Sequence, residues 1–151
     1  CNINIENVQE IGAAANFINL EDLKSECDTF MVSQVDASNC AGLFQFAQRH
    51  QMSGLHLATR EMMLSCFKEV VTESAEFFQL SEEELTGLLS DDALNVEKEY
   101  FVFWALKECF ESDNPHNEDA FLRIVKEVRL PFCSKDLLGY LLFREPLMKC
   151  E

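Results

Sequence analysis

A chain of 151 residues suffices for one compact domain or one elongated helical body, and its 48% hydrophobic content excludes a disordered polymer. Five Gly and three Pro are too few turn formers for an all-β fold. A net charge of −15 with no Lys/Arg stripe argues against nucleic acid, and no apolar run approaches the ~20 residues that cross a bilayer.

The predicted elements begin at Asn4, a helix cap, with a helix from Ile5. Val8, Ile11, Ala15 and Ile18 form its apolar stripe. A second helix, from about 21 to 34, buries Leu23, Cys27, Phe30 and Met31. A third runs from near Ser38 to near His50 with two stripes. Leu43, Phe46, Ala47 and His50 make one, and Cys40, Phe44 and Ala47 the other, a wide apolar surface for a short helix. Ser53-Gly54 leads into one long helix to about Val71, buried through Ala58, Met62, Met63, Cys66, Phe67 and Val70.

Ser81-Glu82-Glu83-Glu84 is a capping box that opens a helix carrying Leu85, Leu88 and Leu89. Residues 100–106 are continuously apolar. Alone they read as a buried strand, but charged flanks at Glu97, Lys98, Glu99, Lys107 and Glu108 favour a helix, to about Glu111, buried on most sides. Asn114-Pro115 starts another helix, which Pro131 stops, and Ser134 caps the last. About eight helices with short connections and no convincing strand predict an all-α fold of antiparallel hairpins.

Seven Cys (1, 27, 40, 66, 109, 133, 150) are scattered without a CxxC pair, and the His residues are His50, His56 and His116. No spacing suits zinc, and neither a metal nor a cofactor is expected. No phosphate loop or nucleophile motif is present, so an enzyme is not expected. An odd thiol count without a visible signal peptide reads as reduced cysteines, hence a protein of the cytoplasm or nucleus. A chain opening at Cys1 reads as cut from a longer protein.

Several short motifs, in order, carry a resemblance. Asn4-Ile5-Glu6-Asn7-Val8 through Ala13-Ala14 is similar to the Thr-x-x-Asn-Val-x-x-Leu-Leu-x-Ala-Ala pattern, with Gly12 where Leu is usual. Asn39-Cys40, Gly42, Phe46-Ala47 and His50 follow, with Ala41 in place of Leu. Then come Val102-Phe103 with Ala105, Val128-Arg129-Leu130-Pro131 and Glu145-Pro146-Leu147. In that order they resemble kelch-like BTB-BACK-kelch adaptors.

The resemblance implies an elongated BACK-type bundle of stacked antiparallel helix hairpins. Residues 1–36 would be the C-terminal helices of a BTB domain, and residues 37–151 a BACK domain whose first part, 37–60, is the 3-box. It also implies a non-enzymatic substrate adaptor of a cullin-3 RING ubiquitin ligase. A groove including Asn39, Cys40, Leu43, Phe44, Phe46, Ala47 and His50 would take the cullin-3 N-terminal region. Protein substrate would bind through a kelch propeller, and homodimerisation would use the earlier part of the BTB domain; neither is expected within these residues. A cytoskeletal scaffold is the alternative.

By spacing alone Leu43, Phe46 and Ala47 are core residues, and Cys40 a small buried one. Phe44, off the main stripe, is expected partly exposed or packed against a neighbour, and Phe44→Asp to weaken cullin binding with helicity intact. Trp104, the sole tryptophan, is a possible second surface. The family usually has Trp at Cys109, but the two positions point about 140° apart on a helix.

Overall fold

A computed structural model describes residues 3–96 and 101–106, which are helical with no strand among them. The helices predicted from Asn114 and Ser134, and the motifs at Val128 and Glu145, lie outside the described residues, as does Cys109.

The first hairpin pairs α1 (Val8–Phe17) with α2 (Glu21–Val32). Asn4 closes a turn rather than capping a helix at Ile5. Its side-chain oxygen accepts from the N–H groups of Glu6 (3.0 Å) and Asn7 (3.1 Å), and regular helix begins only at Val8. The hairpin is antiparallel: Gly12 in mid-α1 faces Cys27 in mid-α2, and Val8, at the start of α1, shares a core with Met31 near the end of α2. Ile18, assigned to the buried stripe, is 58% exposed, because α1 ends at Phe17 and the chain turns through Asn19 at φ 55°.

The second hairpin is α3 (Cys40–His50) and α4 (Ser53–Ser65), joined through Gln51 in the left-handed region (φ 54°, ψ 46°). The two stripes of α3 serve two cores. Leu43 and Ala47 join Val8, Cys27, Met31, Met52 and Leu55. Cys40, Ala41 and Phe44 join the larger core, with Met63, Leu64 and Phe67. That is why so short a helix is apolar on two sides.

No side chain near the start of α4 caps it. The carboxylate of Asp28, on α2, does so instead, accepting from Gly54 N–H (3.1 Å) and Leu55 N–H (2.7 Å). An anion at a helix N-terminus satisfies orphan donors and the dipole together.

The long helix predicted to Val71 is broken at Cys66 (φ −120°, ψ 39°) into α4 and α5 (Phe67–Glu73). The break has a tertiary cause. Asn95 N–H donates to the Leu64 carbonyl (2.8 Å), and its side-chain amide to that of Ser65 (3.4 Å). A short 3₁₀ turn, Ala75–Gln79, then inserts Phe77 into the core, its ring edge-on to Phe67 at 5.6 Å.

Helix α6 (Glu82–Leu89) opens with the predicted capping box: Glu84 N–H donates to Ser81 Oγ (3.3 Å) and Ser81 N–H to Glu84 Oε2 (2.7 Å). Its buried residues are Leu85, Leu88 and Leu89. Arg60 ties α4 to this region, donating to the Gly87 carbonyl (2.8 Å) and Asp91 Oδ2 (2.7 Å). The apolar run at 101–106 is helical, with Val102, Phe103, Ala105 and Leu106 all buried in the larger core.

Candidate protein-docking site

The apolar residues at the start of α1, the end of α2 and the start of α3 do not close over one another. They leave a cleft of about 350 Å³ lined by Ile5, Val8 and Gln9 on one side and Phe30, Met31 and Gln34 on another. Ser38, Asn39, Gly42 and Leu43 complete the α3 wall, with Glu76 from the 3₁₀ turn at the rim.

The α2–α3 corner of this cleft is fixed by hydrogen bonds. Asn39 Oδ1 accepts from Asp36 N–H (3.0 Å), and Asn39 Nδ2 donates to the Gln34 carbonyl (2.9 Å). The Asp36 carboxylate accepts from Ser38 Oγ (2.6 Å), Ser38 N–H (2.9 Å) and Asn39 N–H (3.1 Å). The Ser38 hydroxyl above all, with the backbone N–H donors, holds the Asp36 carboxyl below the usual carboxylate range despite some burial. Asn39 therefore braces the cleft.

The seven positions assigned to a groove separate into three groups. Asn39 and Leu43 line the cleft. Cys40 and Ala47 are buried in the larger and smaller cores, and burial pushes the Cys40 thiol up to about 12. Phe44 is 4% exposed and faces away, into the larger core, with its ring stacked on His56 at 4.8 Å. It reaches a separate, polar hollow of about 240 Å³, shared with His56, Arg60 and Ser81. Phe44 is thus packed against a neighbour, not partly exposed, and the expectation that Phe44→Asp spares the fold is corrected: a carboxylate there would lie in the core.

Phe46 and His50 form a half-buried pair near the end of α3, with ring centroids 4.4 Å apart, outside the cleft. Burial first, then Arg49 and Lys24, depress the His50 pKa. Trp104 is half-buried, its ring 5.4 Å from Phe101 and packed on the larger core.

The wall residues of α1 and α2 were not assigned to a site from the sequence. Ile5 and Val8 carried a signal, an apolar pair at helical spacing, and Ile5 is 73% exposed. Glu76 carried none, because its 3₁₀ turn is set by packing. Among the described residues no group of three His, Cys, Asp or Glu is placed to hold a metal, and no helix is long and apolar enough to cross a membrane.

Helix hairpins around two cores, with an open apolar cleft where they meet, define an all-α helical-hairpin domain. Comparison with known proteins gives the family. The BACK family, described as BTB And C-terminal Kelch, matches residues 40–142, beginning at the first residue of α3. Human kelch-like protein 28 is 32% identical over 136 residues, 90% of this chain and 24% of that protein. Mouse kelch-like protein 7 is 34% identical over 147 residues, 97% of this chain and 25% of that protein. The chain belongs to the BACK family of kelch-like proteins. It spans about a quarter of the length of the curated relatives it matches.

Proposed function

We propose that this chain is the helical arm of a kelch-like substrate adaptor for a cullin-3 RING ubiquitin ligase, and that its cleft receives the cullin-3 N-terminal region. The observation that carries the reading is the cleft itself. It is open, apolar at its base and built from three helices, and Asn39 ties the start of α3 to the chain at the end of α2. The similarity to kelch-like proteins supports the adaptor role.

The arm's work is spatial and non-catalytic. A rigid spacer between the cullin-binding end and a kelch propeller keeps captured substrate near the ubiquitin-charged enzyme, raising its effective concentration there. Substrate choice belongs to the propeller, and homodimerisation to BTB residues. Cys27, Cys40 and Cys66 are free thiols, which suits a reducing cytoplasm or nucleus.

The test is capture of the cullin-3 N-terminal region by the natural full-length chain and by an Ile5→Asp variant. Ile5 is exposed, so the variant should fold. Binding by the wild type and at least tenfold weaker binding by the variant support the reading. No wild-type binding, with co-sedimentation on cytoskeletal filaments, would favour the scaffold role instead.

A further inference from the structure

The cleft has a chemical polarity that suggests what it selects. Val8, Phe30, Met31 and Leu43 make its apolar base, whereas Glu76 is the only charged residue among those described that line it. The Glu76 side chain lies across Gly42: its Cγ would be 3.5 Å from a methyl group built there. The 3₁₀ turn that presents Glu76 is tied to α3, Gln45 Nε2 donating to the Gln79 carbonyl at 3.2 Å. Buried Ser74 lends its hydroxyl to Glu76 Oε2 at 3.4 Å. Ser74 thus positions the carboxylate at the rim, and Gln45 holds the turn that carries it.

Resting on the docking reading above, we propose that Glu76 is a specificity residue, and that the cleft takes an extended protein segment with a Lys or Arg beside an aliphatic side chain. The aliphatic group would fill the base and the cation would meet Glu76. A volume of about 350 Å³ is at the low end for ligand clefts, room for one or two side chains and not for a packed helix. A neutral segment would strip water from the Glu76 carboxylate without replacing it. An acidic one would meet that charge and a net charge of −15 behind it. A basic residue replaces the lost hydration with a charge-assisted hydrogen bond and gains from the same field.

The experiment measures affinity of the full-length chain for the cullin-3 N-terminal region, wild type against Glu76→Gln, Glu76→Lys and Ile5→Asp, at about 50 and about 300 mM NaCl. Glu76 is exposed, and circular dichroism will check that each variant folds. Glu76→Gln should weaken binding about threefold at low salt and Glu76→Lys about tenfold, with both effects shrinking at high salt. Replacing the basic residue of the partner segment with Glu should restore affinity for Glu76→Lys. Loss of binding in Ile5→Asp with no change in either Glu76 variant overturns this inference and leaves the docking site standing. Insensitivity to all three, or no wild-type binding, overturns both.

Discussion

Asp28 on α2 accepts a hydrogen bond at 3.1 Å from the backbone N–H of Gly54, in the first turn of α4. The contact joins the first hairpin to the second across 26 residues of chain. A methyl group built on Gly54 would sit 2.6 Å from Asp28 Oδ2, so the close approach depends on the glycine. Asp28→Ala should cost about 1–2 kcal/mol, the range for losing a helix cap that also complements the dipole. Gly54→Ala should also destabilise. In a double-mutant cycle by urea unfolding the two losses should be less than additive, since each disrupts the same contact.

Gly12 stands where a larger residue is usual in the family pattern. A methyl group there would lie 2.7 Å from Met52 Cε and 3.4 Å from Cys27 Cβ. Met52, 1% exposed, occupies the space that a leucine would need. Gly12→Leu should therefore overpack the smaller core and cost about 1–3 kcal/mol. The pair Gly12→Leu with Met52→Ala should recover part of the loss, measured as thermal midpoints.

Phe44 is a core residue, so Phe44→Ala should destabilise by about 3–5 kcal/mol. The same change should not weaken cullin binding specifically once measured below the variant's unfolding temperature. Ile5→Asp should do the reverse, sparing stability and removing binding.

Asp36 makes stability depend on pH. Its carboxyl lies below the usual range when folded, so the folded state binds the proton less tightly than the unfolded chain does. That stability is fully present above the ordinary carboxylate pKa of about 4 and is lost as the pH falls from there through the folded value. Asp36→Asn should be less stable than wild type at pH 7, with the gap closing below about pH 4, read from urea midpoints across pH.

The free thiols should differ in reactivity. Burial pushes Cys40 up to about 12 and raises Cys27, whereas Cys66 is half-exposed at the α4–α5 break. Because the thiolate is the nucleophile, iodoacetamide at pH 8 should label Cys66 well before Cys27 or Cys40. Peptide mass spectrometry after a short pulse will show the order.

What was legible in the sequence was local or periodic. The capping box at Ser81 and Glu84 closes within three residues and needs no tertiary partner. The two stripes of α3 marked a wide apolar surface on a short helix, which the two cores account for. What was not legible came from distant chain. Asn95 takes the carbonyls of Leu64 and Ser65 and breaks a helix that has no Pro or Gly at that point. Asp28 caps α4 from another hairpin, and the 3₁₀ turn brings Glu76 to a cleft 34 residues back along the chain, at Gly42. The candidate site was half-read for the same reason. Periodicity shows that Cys40, Phe44 and Ala47 are apolar but not which core each enters, so core residues and cleft residues on α3 looked alike.

A backbone NMR titration of the natural chain with the cullin-3 N-terminal region bears most directly on the docking site. Shift changes concentrated at Ile5, Gln9, Gln34, Gly42 and Glu76, with Phe46, His50 and Trp104 unmoved, are the predicted result. Changes centred on the end of α3 or on Trp104, or none at saturating partner, would contradict it.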